Sequence, residues 1–161
     1  MRRRPGLGSA PRKRFAYLKI QVLSDLHEEF RTSTRIDQIT GDVLVLAGDI
    51  DCGRAGLERY GELATWFPGT KVLYVPGNHE FYGFEWNATL RELRATADRL
   101  GVHLLARDSV IINDVRFLGA TLWTDFDALD ARQRGAAMEK AKPSLFQSPH
   151  PSGLFRQSGV E

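Results

Sequence analysis

Cysteine is nearly absent from this chain. Cys52 is the single one in 161 residues, so no internal disulfide can staple the fold, and a reducing interior is the expected setting. Long apolar runs are missing too. None approaches the ~18 residues a bilayer span requires, and the basic N-terminus lacks the apolar stretch of a secretory signal. We therefore expect a cytoplasmic protein with no membrane partner. Charge of one sign is also scarce, with 22 Lys and Arg against 20 Asp and Glu. No internal repeat occurs.

That near balance hides an asymmetry. Residues 1–17 carry Arg2, Arg3, Arg4, Arg12, Lys13 and Arg14 and no acid. Removing these six from the 22 basic residues leaves 16 against 20 acids, so residues 18–161 sum to −4. An acidic body with a basic arm argues against nucleic acid as a partner, except as a substrate. The arm mixes Arg with Gly and Pro and shows no apolar period, and we expect it to be disordered. The last twenty residues, 142–161, hold nine Pro, Ser or Gly and form an irregular tail. The organised part is 18–141. With 42% hydrophobic and 26% charged residues overall, the chain has the composition of one ordinary globular core.

Three short apolar runs recur there: LKIQVLS at 18–24, DVLVLAG at 42–48 and KVLYVPG at 71–77. Each is rich in β-branched residues or leucine and ends in small or turn-forming residues, which predicts strands buried on both faces. Leu57, Tyr60, Leu63, Ala64 and Phe67 fall at helical spacing between the second and third runs. Trp86, Leu90, Leu93, Ala97 and Leu100 form an amphipathic stripe closed by Gly101 as C-cap. Strand–helix alternation predicts an α/β fold with a largely parallel sheet. Residues 108–114 and 115–123 flank Asn113-Asp114, a tight hairpin turn. Residues 128–141 could add one more helix, weakened by Gly135.

Polar residues follow each strand at once: Ser24-Asp25-Leu26-His27, Gly48-Asp49-Ile50-Asp51 and Gly77-Asn78-His79-Glu80. Ligands of open α/β sheets sit at the carboxyl ends of strands, so the three clusters should meet on one edge. Asp, His and Asn suit a divalent transition metal. Asp25 and His27, one residue apart on an extended segment, would face the same ion. Asp49 has two oxygens and can bridge two ions ~3.5–4 Å apart. Asn78 offers an amide oxygen to the second ion.

Asp-x-His, then Gly-Asp, then Gly-Asn-His-Glu, in this order and each after a strand, resembles the calcineurin-like metallophosphoesterase superfamily. The strings GNHEFYG and LGATLWTDF look like a bacterial branch of it. The resemblance covers about Lys19 to Ala141. It implies two packed sheets with helices outside, of which this chain would hold the first sheet and its helices. It implies two divalent metal ions (Mn, Fe, Zn or similar), with Asp25 and His27 on the first, Asp49 bridging and Asn78 on the second. It also implies that His79 faces the phosphate of an ester substrate, stabilising charge or protonating the leaving alkoxide, with Glu80 orienting its ring. The reaction would be attack of metal-activated hydroxide on phosphorus.

The family pattern normally continues to a further metal-binding His and a Gly-His-x-His segment. This sequence has four histidines and no such segment. The expectation is a chain cut short after about Lys142, with reduced activity or none. Missing later strands should uncover apolar surface around Val115–Trp123 and favour self-association.

Plainer readings apply elsewhere. Asp51 and Cys52 read as loop residues, His103 as a strand histidine and His150 as part of the tail. Phe81, Tyr82, Trp123 and Asp125 either line a substrate pocket or pack. Two other functions compete with hydrolysis: a non-catalytic metal- or phosphate-binding remnant, and, distantly, a nucleic-acid-binding protein using the arm.

Overall fold

In a computed structural model of the chain, residues 17–30, 36, 38–123, 130, 132–137 and 139 are described. The basic arm up to residue 16, the tail at 142–161, Asp125 and His150 lie outside them. Four strands, β1 (Ile20–Leu23), β2 (Val43–Ala47), β3 (Lys71–Val75) and β4 (His103–Leu104), pair in parallel in the order β1-β2-β3-β4. The helices are α1 (Ala55–Gly61), α2 (Leu63–Trp66) and α3 (Trp86–Leu100). Strands β5 (Asp108–Ile112) and β6 (Val115–Gly119) form a separate antiparallel hairpin.

Alternation along β2 and β3 explains the layering, because successive side chains leave a strand on opposite faces. Leu44, Leu46, Val72 and Tyr74 point to one face and pack with Leu57, Tyr60, Leu63, Leu93 and Ala97 of the helices. Val43 and Leu73 point to the other, where Leu105 joins them with Val110, Ile112 and Phe117 of the hairpin. The sheet is thus covered by helices on one side and by the hairpin on the other.

The strand β1 departs from the expectation of burial on both faces. Ile20 is 46% and Val22 58% exposed. Paired with Val43 and Val45, these two share the hairpin's face of the sheet. The hairpin instead docks over Val75 and Leu105, where a Cβ on Gly119 would collide with Leu105 Cβ and come within 2.9 Å of Val75 Cγ2. Among the described residues, the edge strand β1 receives cover on one side only.

The helical stretch at 57–67 is also not continuous. It divides into α1 and α2 at Glu62, the C-cap of one and N-cap of the other. The α3 boundaries agree with the sequence pattern. Glu85 caps its start by accepting from Asn87 and Ala88 N–H groups, and Gly101 ends it in the left-handed conformation at φ 68°. Asn113 and Asp114 both take positive φ, 49° and 65°, as the two-residue turn requires. Of the helix expected at 128–141, residues 132–137 are helical, starting from Asp130, whose carboxylate accepts from the N–H groups of Arg132 and Gln133. No helix among the described residues is long and apolar enough to cross a membrane. Val115, Leu118, Leu122 and Trp123 are exposed.

Gly119→Ala should therefore lower the unfolding free energy by about 1–3 kcal/mol through overpacking against β3 and Leu105. Ser109→Ala, on the exposed side of the same hairpin, should change it by less than about 0.5 kcal/mol. Urea unfolding checks both. Equal midpoints for the two variants would show that the hairpin does not dock as described.

Candidate metal centre

The three polar clusters converge because the β1–β2 ladder continues past the strands themselves. The N–H of Asp25 donates to Gly48 O, that of His27 to Asp49 O, and that of Glu28 to Ile50 O, each at 3.0 Å. The segment carrying Asp25 and His27 is not extended, contrary to the sequence reading. Both residues, like Asp49, take left-handed backbone, with φ of 55°, 49° and 52°. The two side chains meet through that double turn, with His27 Nε2 3.9 Å from Asp25 Oδ1. Asp and His are among the non-glycine residues that tolerate this region best.

The third cluster is locked to the second by close backbone approach. A Cβ on Gly77 would collide with the carboxylate and backbone nitrogen of Asp49. A glycine is needed there so that β2 and β3 can end this near each other. The N–H of His79 then donates to Asp49 Oδ1 at 3.0 Å.

Asp25, His27 and Asp49 each present a ligand atom, all three within 4.8 Å of one another. Asp25, Asp49 and Asn78 line one cavity of about 280 Å³, floored by Gly48 and Gly77 and walled on one side by Ala120 and Leu122. Asn78 Nδ2 donates to the Tyr82 hydroxyl, which orients the amide and leaves Oδ1 as its cation-capable atom. The Tyr82 ring lies 4.5 Å from that of His79. Phe81, Trp86 and Trp123 instead pack together, Phe81 and Trp86 stacked at 3.8 Å.

Glu80 occupies a different place from the one expected. It does not touch the His79 ring. Its fully buried carboxylate turns inward beneath the loops, where Oε1 accepts from Ile50 N–H at 3.0 Å and from the Tyr74 hydroxyl at 2.8 Å. Oε2 accepts from Gly77 N–H at 2.7 Å and Asp49 N–H at 3.2 Å. Four donors thus fill the four lone-pair directions of one carboxylate. Burial pushes the Glu80 carboxyl above its ordinary range, opposed by the hydrogen bonds from Ile50 and Tyr74.

The residue that does touch His79 is Glu29, which sequence reasoning missed. Glu29 Oε1 lies 2.7 Å from His79 Nδ1 and 3.1 Å from His27 Nδ1. The only signal was the acidic pair directly after Asp-x-His, and its two members part company. Glu28 ion-pairs with Arg59 at 2.6 Å, while Glu29 turns into the site.

The electrostatic field of the site is negative. Burial, reinforced by Glu29, Asp51, Glu80 and Asp49, pushes the Cys52 thiol up to about 12, so Cys52 is no thiolate nucleophile near neutral pH. Asp51 accepts from the Cys52 N–H at 2.7 Å and keeps its loop role, its carboxyl raised chiefly by burial. A carboxylate–imidazole donor set in such a field fits a divalent cation.

The chain is similar to known proteins over much of its length. The family described as calcineurin-like phosphoesterase matches residues 18–130. A UPF0046 protein of Caenorhabditis elegans is 33% identical over 127 residues, covering 71% of this chain and 42% of that protein. The crystal structure of phosphopantetheinyl hydrolase from Mycobacterium tuberculosis superimposes with a TM-score of 0.58 at 18% identity, over 84% of this chain and 57% of that one. The latter is a likeness of fold. The chain spans less than half the length of the curated relative it matches.

Glu80→Gln tests the clamp beneath the loops. The new amide would turn an NH2 toward a pair of donors, at about 1–3 kcal/mol for each donor orphaned. The expected outcome is a marked fall in the urea midpoint. Unchanged stability would show that Glu80 does not hold the two loops together.

Proposed function

The chain belongs to the calcineurin-like phosphoesterase family, and from that premise we propose that it takes part in metal-dependent hydrolysis of a phosphate ester. The observation that carries the reading is the meeting of Asp25, His27 and Asp49, with ligand atoms within 4.8 Å of each other, of which Asp25 and Asp49 line a cavity together with Asn78.

In this reading Asp25 and His27 would hold one cation, Asn78 Oδ1 a second, and Asp49, with two carboxylate oxygens, would serve both. Bound there, divalent cations supply Lewis-acid chemistry, neutralising phosphate charge and lowering the pKa of water. The protein's own work is positioning. Asp49 is held on two sides, since its backbone N–H is bound by Glu80 and its Oδ1 accepts from the His79 N–H. His79 has its Nδ1 engaged by Glu29, so Nε2 is the ring atom left to meet a substrate oxygen. To protonate a departing alkoxide, Nε2 would have to carry a proton as well, the ring then being an imidazolium held by Glu29 at Nδ1. Ala120 and Leu122 also line the cavity.

Hydrolysis of bis(p-nitrophenyl) phosphate in the presence of Mn²⁺ tests the proposal. Asp49→Asn should lower the rate by about a thousandfold, the loss of several kcal/mol of charge stabilisation. Excess EDTA should abolish turnover. A rate that survives both treatments would sink the reading.

A further inference from the structure

Glu29 sits two residues beyond His27, within the short 3₁₀ turn Glu28–Phe30. Its side chain is 5% exposed. One oxygen, Oε1, stands between two imidazoles, 3.1 Å from His27 Nδ1 and 2.7 Å from His79 Nδ1. The rings meet edge to face with centroids 4.3 Å apart. A carboxylate oxygen offers two lone pairs and no hydrogen, so both nitrogens donate to it. A neutral imidazole that donates from Nδ1 keeps its free lone pair at Nε2. For His27, Nε2 is the atom that lies nearest Asp25 Oδ1, its partner in the donor set.

We infer that Glu29 is a positioning residue that sets the tautomer and ring orientation of His27 and His79 together, through a single oxygen. Its function deepens the proposed hydrolysis and rests on it in one respect, that His27 Nε2 serves a cation and His79 Nε2 the substrate. The tautomer assignment itself follows from the hydrogen-bond geometry alone.

Packing does not account for a carboxylate at this position. The second oxygen, Oε2, is buried and has no hydrogen-bond partner among the described residues. Asp51 and Cys52 lie close by, with ligand atoms within 4.8 Å of a Glu29 oxygen and of each other. An unpartnered buried oxygen beside another carboxylate is costly. An apolar side chain of similar size would avoid that cost, but it could not accept from either ring. Outer carboxylates that orient metal-binding histidines typically change metal affinity or activity by 10–100-fold when removed.

Long-range 1H–15N correlation spectra of the histidine rings in metal-free protein test this, with the signals assigned through His27→Gln and His79→Gln. In the unaltered protein both rings should show a protonated Nδ1 and a bare Nε2. Glu29→Ala and the volume-preserving Glu29→Leu should release both rings toward the Nε2–H form. Glu29→Gln keeps an oxygen at the same reach and should retain the Nδ1–H form. By calorimetry, the Ala and Leu variants should bind Mn²⁺ about 10–100-fold more weakly than the unaltered protein. A bare Nδ1 on either ring of the unaltered protein would overturn the inference, as would an unchanged tautomer in a folded Ala or Leu variant. If the unaltered protein bound no Mn²⁺, the hydrolytic reading would fall, while the ring spectra would still decide the role of Glu29.

Discussion

Three parallel strands can bring their polar ends together only if the loops that follow them are tied to one another, and here one buried carboxylate ties the loops after β2 and β3 while backbone bonds tie the loop after β1 to that after β2. Glu80 accepts from the backbone of Asp49 and Ile50 after β2, from Gly77 after β3, and from Tyr74 within β3. Each bond satisfies a backbone or hydroxyl group that burial would otherwise leave orphaned. With both loops held from below, the side chains of Asp49 and Asn78 are left on the upper, cavity side. The close pass of Gly77 over Asp49 is possible on the same condition, because a residue with a Cβ would force the loops apart.

Against this rigid base, the ligand-bearing backbone is strained. Asp25, His27 and Asp49 all lie in the left-handed region, which costs on the order of 1–3 kcal/mol per residue in the less tolerant cases. The cost is met by the hydrogen bonds that prolong the β1–β2 ladder, from Asp25 to Gly48, His27 to Asp49 and Glu28 to Ile50. Strain of this sort persists only where the surroundings over-determine it, and three such residues beside one cavity place the functional demand there. The reward is direction. A left-handed residue throws its side chain out of the pleat, and that brings Asp25 and His27 toward Asp49 when the flat strand would have spread them.

The elements whose physics is local were legible in the residues. Gly101 ends a helix because it alone takes φ 68° without cost, and Asn113-Asp114 makes a hairpin because both tolerate positive φ. The meeting of Asp25, Asp49 and Asn78 at one cavity was legible from strand topology. What failed were judgements that depend on a distant neighbour. The apolar residues of β1 gave no sign that the hairpin would settle over Leu105 and leave Val22 exposed. Glu80, next to His79 in sequence, was assigned to its ring, yet a 3₁₀ turn carries adjacent side chains in different directions and sent it into the core. The same geometry in the turn at Glu28–Phe30 separates Glu28, which meets Arg59, from Glu29, which meets the histidines. No pattern in LHEEF distinguishes the two acids.

On the proposed reading, fold and cation would be coupled through the charges that the site collects. The Cys52 thiol is held up to about 12 by burial and by the field of Glu29, Asp51, Glu80 and Asp49. These carboxylates repel one another, and in a partly buried loop cluster water screens that repulsion poorly. A divalent cation held at Asp25, His27 and Asp49, as proposed, would remove part of it and would bind the native arrangement far better than an unfolded chain. Binding of that kind stabilises the fold by RT ln(1 + [M]/Kd), about 2.7 kcal/mol when the ion is a hundredfold above its Kd. On the proposed reading the left-handed turns and the carboxylate crowding are one design: both raise the free energy of the metal-free chain, and both would be relieved or used when the ligands close on an ion. A site built this way keeps its ligands pre-oriented at the expense of stability without metal, and the Glu80 clamp is what keeps that expense from opening the loops.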